Sequence, residues 1–163
     1  MDIYALDPGP EESALVVYRP TDRLVEHAMI LPNVEMLDRL KSDAENYTGD
    51  VLVIEQVISY GMAVGKETLE TVFWSGRFYQ VWEQEGERVA RIDRKAIKLQ
   101  ICNDARARDS NIRTEILDRF GGKLRAIGKK SAPGPLFGVT SHKMAALAVA
   151  IAWWEINGKA ERA

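Results

Sequence analysis

Two carboxylates in this sequence stand where a charge is hard to keep. Asp7 closes the run Ile3-Tyr4-Ala5-Leu6 ahead of Pro8-Gly9, and Glu55 closes Val51-Leu52-Val53-Ile54. Short continuous apolar runs bounded by a turn signal read as buried strands, and α/β folds gather their ligands at the carboxyl ends of such strands. A charge there needs a partner or a metal. Two carboxylates on neighbouring strand ends make a hard-oxygen site suited to Mg²⁺, and paired metals of that kind drive phosphodiester cleavage. Plainer roles compete. An Asp before Pro-Gly forms Asx turns, and Glu55, of a type depleted in strands, could form a buried ion pair with one of the chain's many arginines. His142 is the third candidate. Near a helix start the dipole favours its neutral imidazole, which can bind a metal or accept a proton; a packed or capping histidine is the alternative. His27 sits mid-strand without a motif and receives no role.

The elements that must position these residues follow from hydrophobic period and turn signals. Ile3–Leu6, Ala14–Tyr18 and Leu24–Ile30 read as a β-meander. Leu31-Pro32-Asn33 breaks the third strand, and Asn33 caps a helix running to about Ala44. Val51–Glu55 is the fourth strand. A loop over Gln56–Gly65 leads to a helix over Lys66–Gln84, and Arg88–Asp93 is the fifth strand. Two basic helices cover Arg94–Ile101 and Asp109–Phe120, the second stopped by Gly121-Gly122. Lys123–Gly138, with Gly128, Pro133, Gly134 and Pro135, reads as a mobile linker. The closing helix runs from about Ser141 to Ile156. At 163 residues the chain suits one domain, 1–163.

The net charge of -2 hides an asymmetry: Arg88–Lys130 holds thirteen Lys/Arg against five Asp/Glu, and the remainder nine against nineteen. Such a basic block can neutralise a phosphate backbone; solvated helix faces are the alternative. The single cysteine, Cys102, forms no disulfide framework and suggests a reducing compartment. No cationic leader is evident, and the longest apolar stretch, Met144–Trp154, is eleven residues, short of the ~20 that span a bilayer. A cytoplasmic protein with no membrane partner is expected.

Laid out in this order, the chain resembles RuvC-type Holliday junction resolvases, in particular their phage-encoded relatives. Leu6-Asp7-Pro8-Gly9 resembles the family's first strand, whose Asp is a metal ligand. Ile54-Glu55-Gln56-Val57 is similar to its Ile-Glu-Gln segment, whose Glu is the second ligand. Lys98 and Ala105–Ile112 resemble the basic segment that touches the DNA backbone, and Ser141-His142-Lys143-Met144-Ala145-Ala146-Leu147-Ala148-Val149-Ala150 resembles the last helix. The resemblance covers nearly the whole length. It implies an α/β, ribonuclease H-like fold: a mixed five-stranded sheet, an antiparallel meander followed by parallel strands, flanked by helices. It implies a metal site on Asp7, Glu55 and His142 that holds Mg²⁺, with Mn²⁺ as substitute. One departure stands out, because the family pattern carries Asp at the position of Ala145. Asp109 is the candidate substitute, with a helix-terminal acid beside Ser110 as its ordinary role.

The expected activity is then paired cleavage of branched DNA by a homodimer, one metal activating water and the other stabilising the leaving 3′ oxygen. Lys98, Arg106, Arg108, Arg113 and Lys143 are the expected phosphate contacts, which position a nucleic acid without reading it. Val57–Gly65 lies where the family inserts a loop into the junction, so Tyr60 and Met62 are candidate wedges between bases. The aromatic helix with Phe73, Trp74, Phe78, Tyr79 and Trp82 is a candidate dimer surface, or plain core. A catalytically weakened DNA-structure-binding module, favoured by Ala145, is the second reading. Another ribonuclease H-like nuclease is the third.

Overall fold

The computed structural model describes residues 1–46, 48–59 and 61–158. Strands β1 (Ile3–Asp7), β2 (Glu12–Arg19), β3 (Leu24–Pro32), β4 (Val51–Gln56) and β5 (Arg88–Asp93) form one sheet in the spatial order β3-β2-β1-β4-β5. Pairing is antiparallel from β1 to β3 and parallel from β1 through β4 to β5. The helices are α1 (Asn33–Asn46), α2 (Lys66–Glu83), α3 (Arg94–Cys102), α4 (Asp109–Arg119), α5 (Lys123–Ile127) and α6 (His142–Asn157). This is the expected mixed five-stranded sheet with flanking helices. No helix among the described residues is long and apolar enough to cross a membrane.

Side chains alternate across a strand, and that alternation sorts the core into two layers. Ile3 and Ala5 on β1, with Val51 and Val53 on β4, pack against α3, α4 and α6. Tyr4 and Leu6, with Leu52 and Ile54, pack against α1 and α2. Asp7 and Glu55 continue the first series, so both belong to the face that α6 covers. The two strands run in parallel register, Leu6 opposite Ile54, which brings the two carboxylates to adjacent strand ends.

Helix α6 buries Met144 and every residue from Ala146 to Trp153. A helix apolar on all sides is a core helix, and Ala146, Ala148, Ala150 and Ala152, each at most 2% exposed, let its backbone lie close on the sheet. Helix α2 divides its aromatics. Phe78 and Trp82 are fully buried, Trp82 lying 4.8 Å from the Tyr4 ring, whereas Leu69, Val72 and Phe73 remain exposed.

Three expectations need correction. Strand β3 continues through Leu31 and Pro32 rather than breaking there, since an edge strand tolerates a proline. Asn33 does not cap α1. Its Oδ1 accepts from Ser13 Oγ at 2.6 Å and its Nδ2 donates to the Gly9 carbonyl at 2.9 Å, tying the helix start to the turn after β1. Lys123–Gly138 is ordered structure: α5 is followed by a small hairpin of β6 (Gly128–Lys129) and β7 (Ala132–Pro133). Leu136 N–H donates to the Ala126 carbonyl at 2.7 Å, and both residues are buried. Gly128, at φ 68 and first in β6, lies so near the facing strand that a Cβ would stand 2.4 Å from the Ala132 oxygen. Gly134 and Pro135 open a turn closed by Phe137 N–H to the Gly134 carbonyl at 3.0 Å.

Candidate functional site

The turn after β1 is fixed by its neighbours. Gly9 N–H donates to Ser13 Oγ at 3.2 Å, Ser13 donates to Asn33, and Asn33 returns to the Gly9 carbonyl. A Cβ on Gly9 would sit 2.3 Å from the Glu12 carbonyl oxygen. Asp7, two residues earlier, is thereby held at the sheet end with its side chain 15% exposed.

Asp7 meets the first residue of α6. Its Oδ2 lies 2.9 Å from Nδ1 of His142, whose ring is largely exposed. A carboxylate only accepts, so Nδ1 carries the hydrogen and Nε2 of a neutral ring keeps its lone pair. A carboxylate behind one ring nitrogen orients the other in metal-ligating histidines. Burial raises the Asp7 carboxyl above its ordinary range, against the lowering pull of the His142 hydrogen bond and charge. Ser141, just before, adopts φ 50 and ψ -125 in a turn closed by Lys143 N–H to the Thr140 carbonyl at 3.1 Å. That strained geometry sets the angle at which α6 delivers His142.

Glu55, 12% exposed, is ion-paired with an arginine. Arg94 Nη1 donates to both its oxygens, at 3.0 and 3.1 Å, and Arg94 Nη2 donates to Asp109 Oδ1 at 2.6 Å. Burial raises the Glu55 carboxyl; the Arg94 charge opposes the shift and Asp7 adds to it. Arg94 is placed by Asp93, whose Oδ1 caps α3 through the amides of Lys95 at 2.8 Å and Ala96 at 3.0 Å. Asp109, first residue of α4, thus joins the cluster through Arg94 while its own side chain is exposed.

Asp7, Glu55, Arg94, Asp109, Arg113, His142 and Ala145 line one cleft of about 560 Å³, floored by Ile97, Ile112, Met144 and Ala148. Asp7 and His142 also border a second cleft of about 820 Å³, walled by the Pro8–Ala14 turn and by Lys66, Glu67, Glu70 and Thr71 of α2. The donor chemistry, carboxylates with an imidazole, suits a divalent cation. Among the described residues, however, no three His, Cys, Asp or Glu side chains gather around one point. A guanidinium stands at Glu55, so a cation there must replace another cation.

The remaining sequence candidates distribute around this centre. Arg113 is on the cleft wall. Arg106 and Arg108 are exposed on the loop before α4, and Lys98 lines a hollow beside it with Arg94, Lys95 and Ala105. Lys143 follows His142 and is half-buried. Met62 is 77% exposed and lines neither cleft. Tyr60 lies outside the described residues. Arg94 is the residue sequence reasoning missed. Its signal was available: a basic residue directly after β5, opposite a strand carboxylate already suspected of pairing with an arginine.

No protein-family model matches the sequence, and no curated protein matches it. Solved structures do. Thermus thermophilus RuvC superposes with a TM-score of 0.66 at 16% identity, over 97% of both chains. T. thermophilus RuvC in complex with a Holliday junction substrate superposes with a TM-score of 0.63 at 18% identity, over 93% of this chain and 92% of that one. The chain has a RuvC-like fold. On this RuvC-like frame Ala145 presents a methyl group to the cleft where the sequence resemblance called for a carboxylate. Asp109, the expected substitute, is bridged to Glu55 by Arg94.

Proposed function

We propose that this protein is a metal-dependent, structure-selective endodeoxyribonuclease that resolves four-way junctions or other branched DNA by paired phosphodiester cleavage. The observation that carries the reading is that Asp7 and Glu55, at adjacent parallel strand ends, line one open cleft with His142, which is hydrogen-bonded to Asp7. The RuvC-like fold, and a neighbour solved with a Holliday junction substrate, support it. Asp7, Glu55 and His142 are the metal-holding residues, with Asp109 in place of the acid missing at 145. Bound Mg²⁺, or Mn²⁺, supplies activation of water and stabilisation of the leaving oxygen. His142 ligates the metal or takes a proton through Nε2. Lys98, Arg106, Arg108, Arg113 and Lys143 hold the phosphates, and the loop with Tyr60 and Met62 meets the junction centre. A second copy docks through the aromatic helix α2, of whose five aromatics Phe78 and Trp82 belong to the core, leaving Phe73 exposed beside Leu69 and Val72 to match the two-fold symmetry of a junction. Its place of action is the cytoplasm of a bacterial or phage-infected cell.

A second reading, a junction-binding protein without cleavage, draws on Ala145 and on the Arg94 pairing of Glu55. Cleavage of a labelled mobile four-way junction with Mg²⁺ or Mn²⁺, for wild type and Asp7→Asn, decides between them. Paired symmetric nicks that vanish in Asp7→Asn are the expected result. Tight binding without nicks in either metal sinks the catalytic reading, and indifference to junction over linear duplex points to another nuclease of the same fold.

A further inference from the structure

Arg94 is placed against the ordinary preferences of a helix. It is the first residue of α3, directly after the capping Asp93, at a helix end where the dipole disfavours a positive charge. Its guanidinium nonetheless bridges two carboxylates, Glu55 and Asp109, that belong to different elements. On one side it faces the cleft with Asp7 and His142. On the other it borders a hollow of about 350 Å³ lined by Lys95, Lys98 and Ala105. That hollow gathers three cationic side chains, counting Arg94, and its chemistry suits a phosphate.

Resting on the metal-site reading above, we infer that Arg94 is a placeholder cation and a phosphate-positioning residue. In the metal-free protein it satisfies Glu55, whose burial would otherwise strand a charge. When a divalent ion takes the carboxylate, the guanidinium turns to a DNA phosphate in the hollow with Lys95 and Lys98. The two events are then linked: the ion must expel Arg94, and a phosphate stabilises the expelled position. By reciprocity, DNA raises metal affinity and metal raises DNA affinity by the same factor.

The test measures Mn²⁺ binding to the full chain by the paramagnetic resonance signal of free Mn²⁺, with and without a four-way junction carrying uncleavable phosphorothioate linkages. For wild type, the junction tightens Mn²⁺ binding. In Arg94→Gln, Mn²⁺ binds about tenfold more tightly without DNA, because the competing charge-assisted hydrogen bonds are gone, and the junction adds nothing further. Arg94→Lys, which keeps the charge without the fork, retains the coupling and guards against a folding defect in the Gln variant. Unchanged or weaker Mn²⁺ affinity in a folded Arg94→Gln, in a protein whose wild type binds Mn²⁺ and junction, overturns this inference alone. Wild type binding Mn²⁺ no better than Glu55→Gln overturns the metal site itself and this inference with it.

Discussion

Replacing Asn33 by Asp separates two roles for that residue. A helix cap accepts Asp as readily as Asn. The tether seen here does not. Ser13 can still donate to a carboxylate at position 33, but the Gly9 carbonyl loses its Nδ2 donor and faces a negative charge. Asn33 and Ser13 are both 2% exposed, so water does not repair the loss. Orphaning a buried neutral group costs about 1–3 kcal/mol, and charged groups cost more; the expected loss for Asn33→Asp at pH 7 is therefore about 2–4 kcal/mol. At roughly 2–4 °C per kcal/mol for a chain of this size, the midpoint falls by at least ~4 °C. Thermal unfolding followed by circular dichroism, with chelator present, reads it. Acidification protonates the introduced carboxyl, which regains a donor, so the deficit narrows as pH drops. A Ser13→Ala/Asn33→Ala cycle adds a coupling of about 1 kcal/mol, because each single variant orphans the other partner. An Asp variant within about 0.5 kcal/mol of wild type, beside an Ala variant losing only the ~1 kcal/mol of a cap, refutes the tether.

Three further outcomes are expected. Ser141→Gly relieves a geometry that glycine prefers at the first central position of a type II′ turn; after the entropic cost of glycine, stability rises by about 1 kcal/mol in calorimetry, and a drop counts against strain at Ser141. In metal-free protein, Asp7→Asn gains stability over wild type as pH rises. The folded Asp7 carboxyl titrates above its ordinary 3.8, so its favourable contribution is present in acid and is lost as pH climbs through the folded value; a difference flat from pH 4 to 7 contradicts the burial argument. Arg106→Ala, Arg108→Ala and Arg113→Ala combined lower the slope of log junction affinity against log salt by about 0.9 for each phosphate no longer neutralised, and an unchanged slope removes these residues from the DNA path.

The fold was legible because its signals are local. Apolar runs, the turn residues between them and the Ala-rich closing helix each announce an element, and every strand and long helix ends within about two residues of its expected place. Where reading by composition went astray, one residue served a distant partner. Asn33 fits a cap by type and position, yet its partners Gly9 and Ser13 are on the other side of a hairpin. Gly128, Pro133 and Gly134 fit a loose linker by type, yet what they do depends on Ala126 and Leu136 packing in the core.

The candidate site divides along the same line. Asp7 and Glu55 could be picked out because strand parity is written in the sequence: each stands an even number of residues from core positions on the α6 face, so neither can point elsewhere without a register slip. His142 followed from the helix start that carries it. What parity cannot state is which charge answers another across the sheet end. Glu55 and Arg94 are 39 residues apart, and their meeting depends on Asp93 capping α3 at one particular residue. The two departures from the expected acid set act together there. Ala145 withholds one negative charge and Arg94 supplies a positive one. Asp7, Glu55 and Asp109 then face a single guanidinium and an imidazole, and Arg94 offsets charge at Glu55 and Asp109 while His142 answers Asp7.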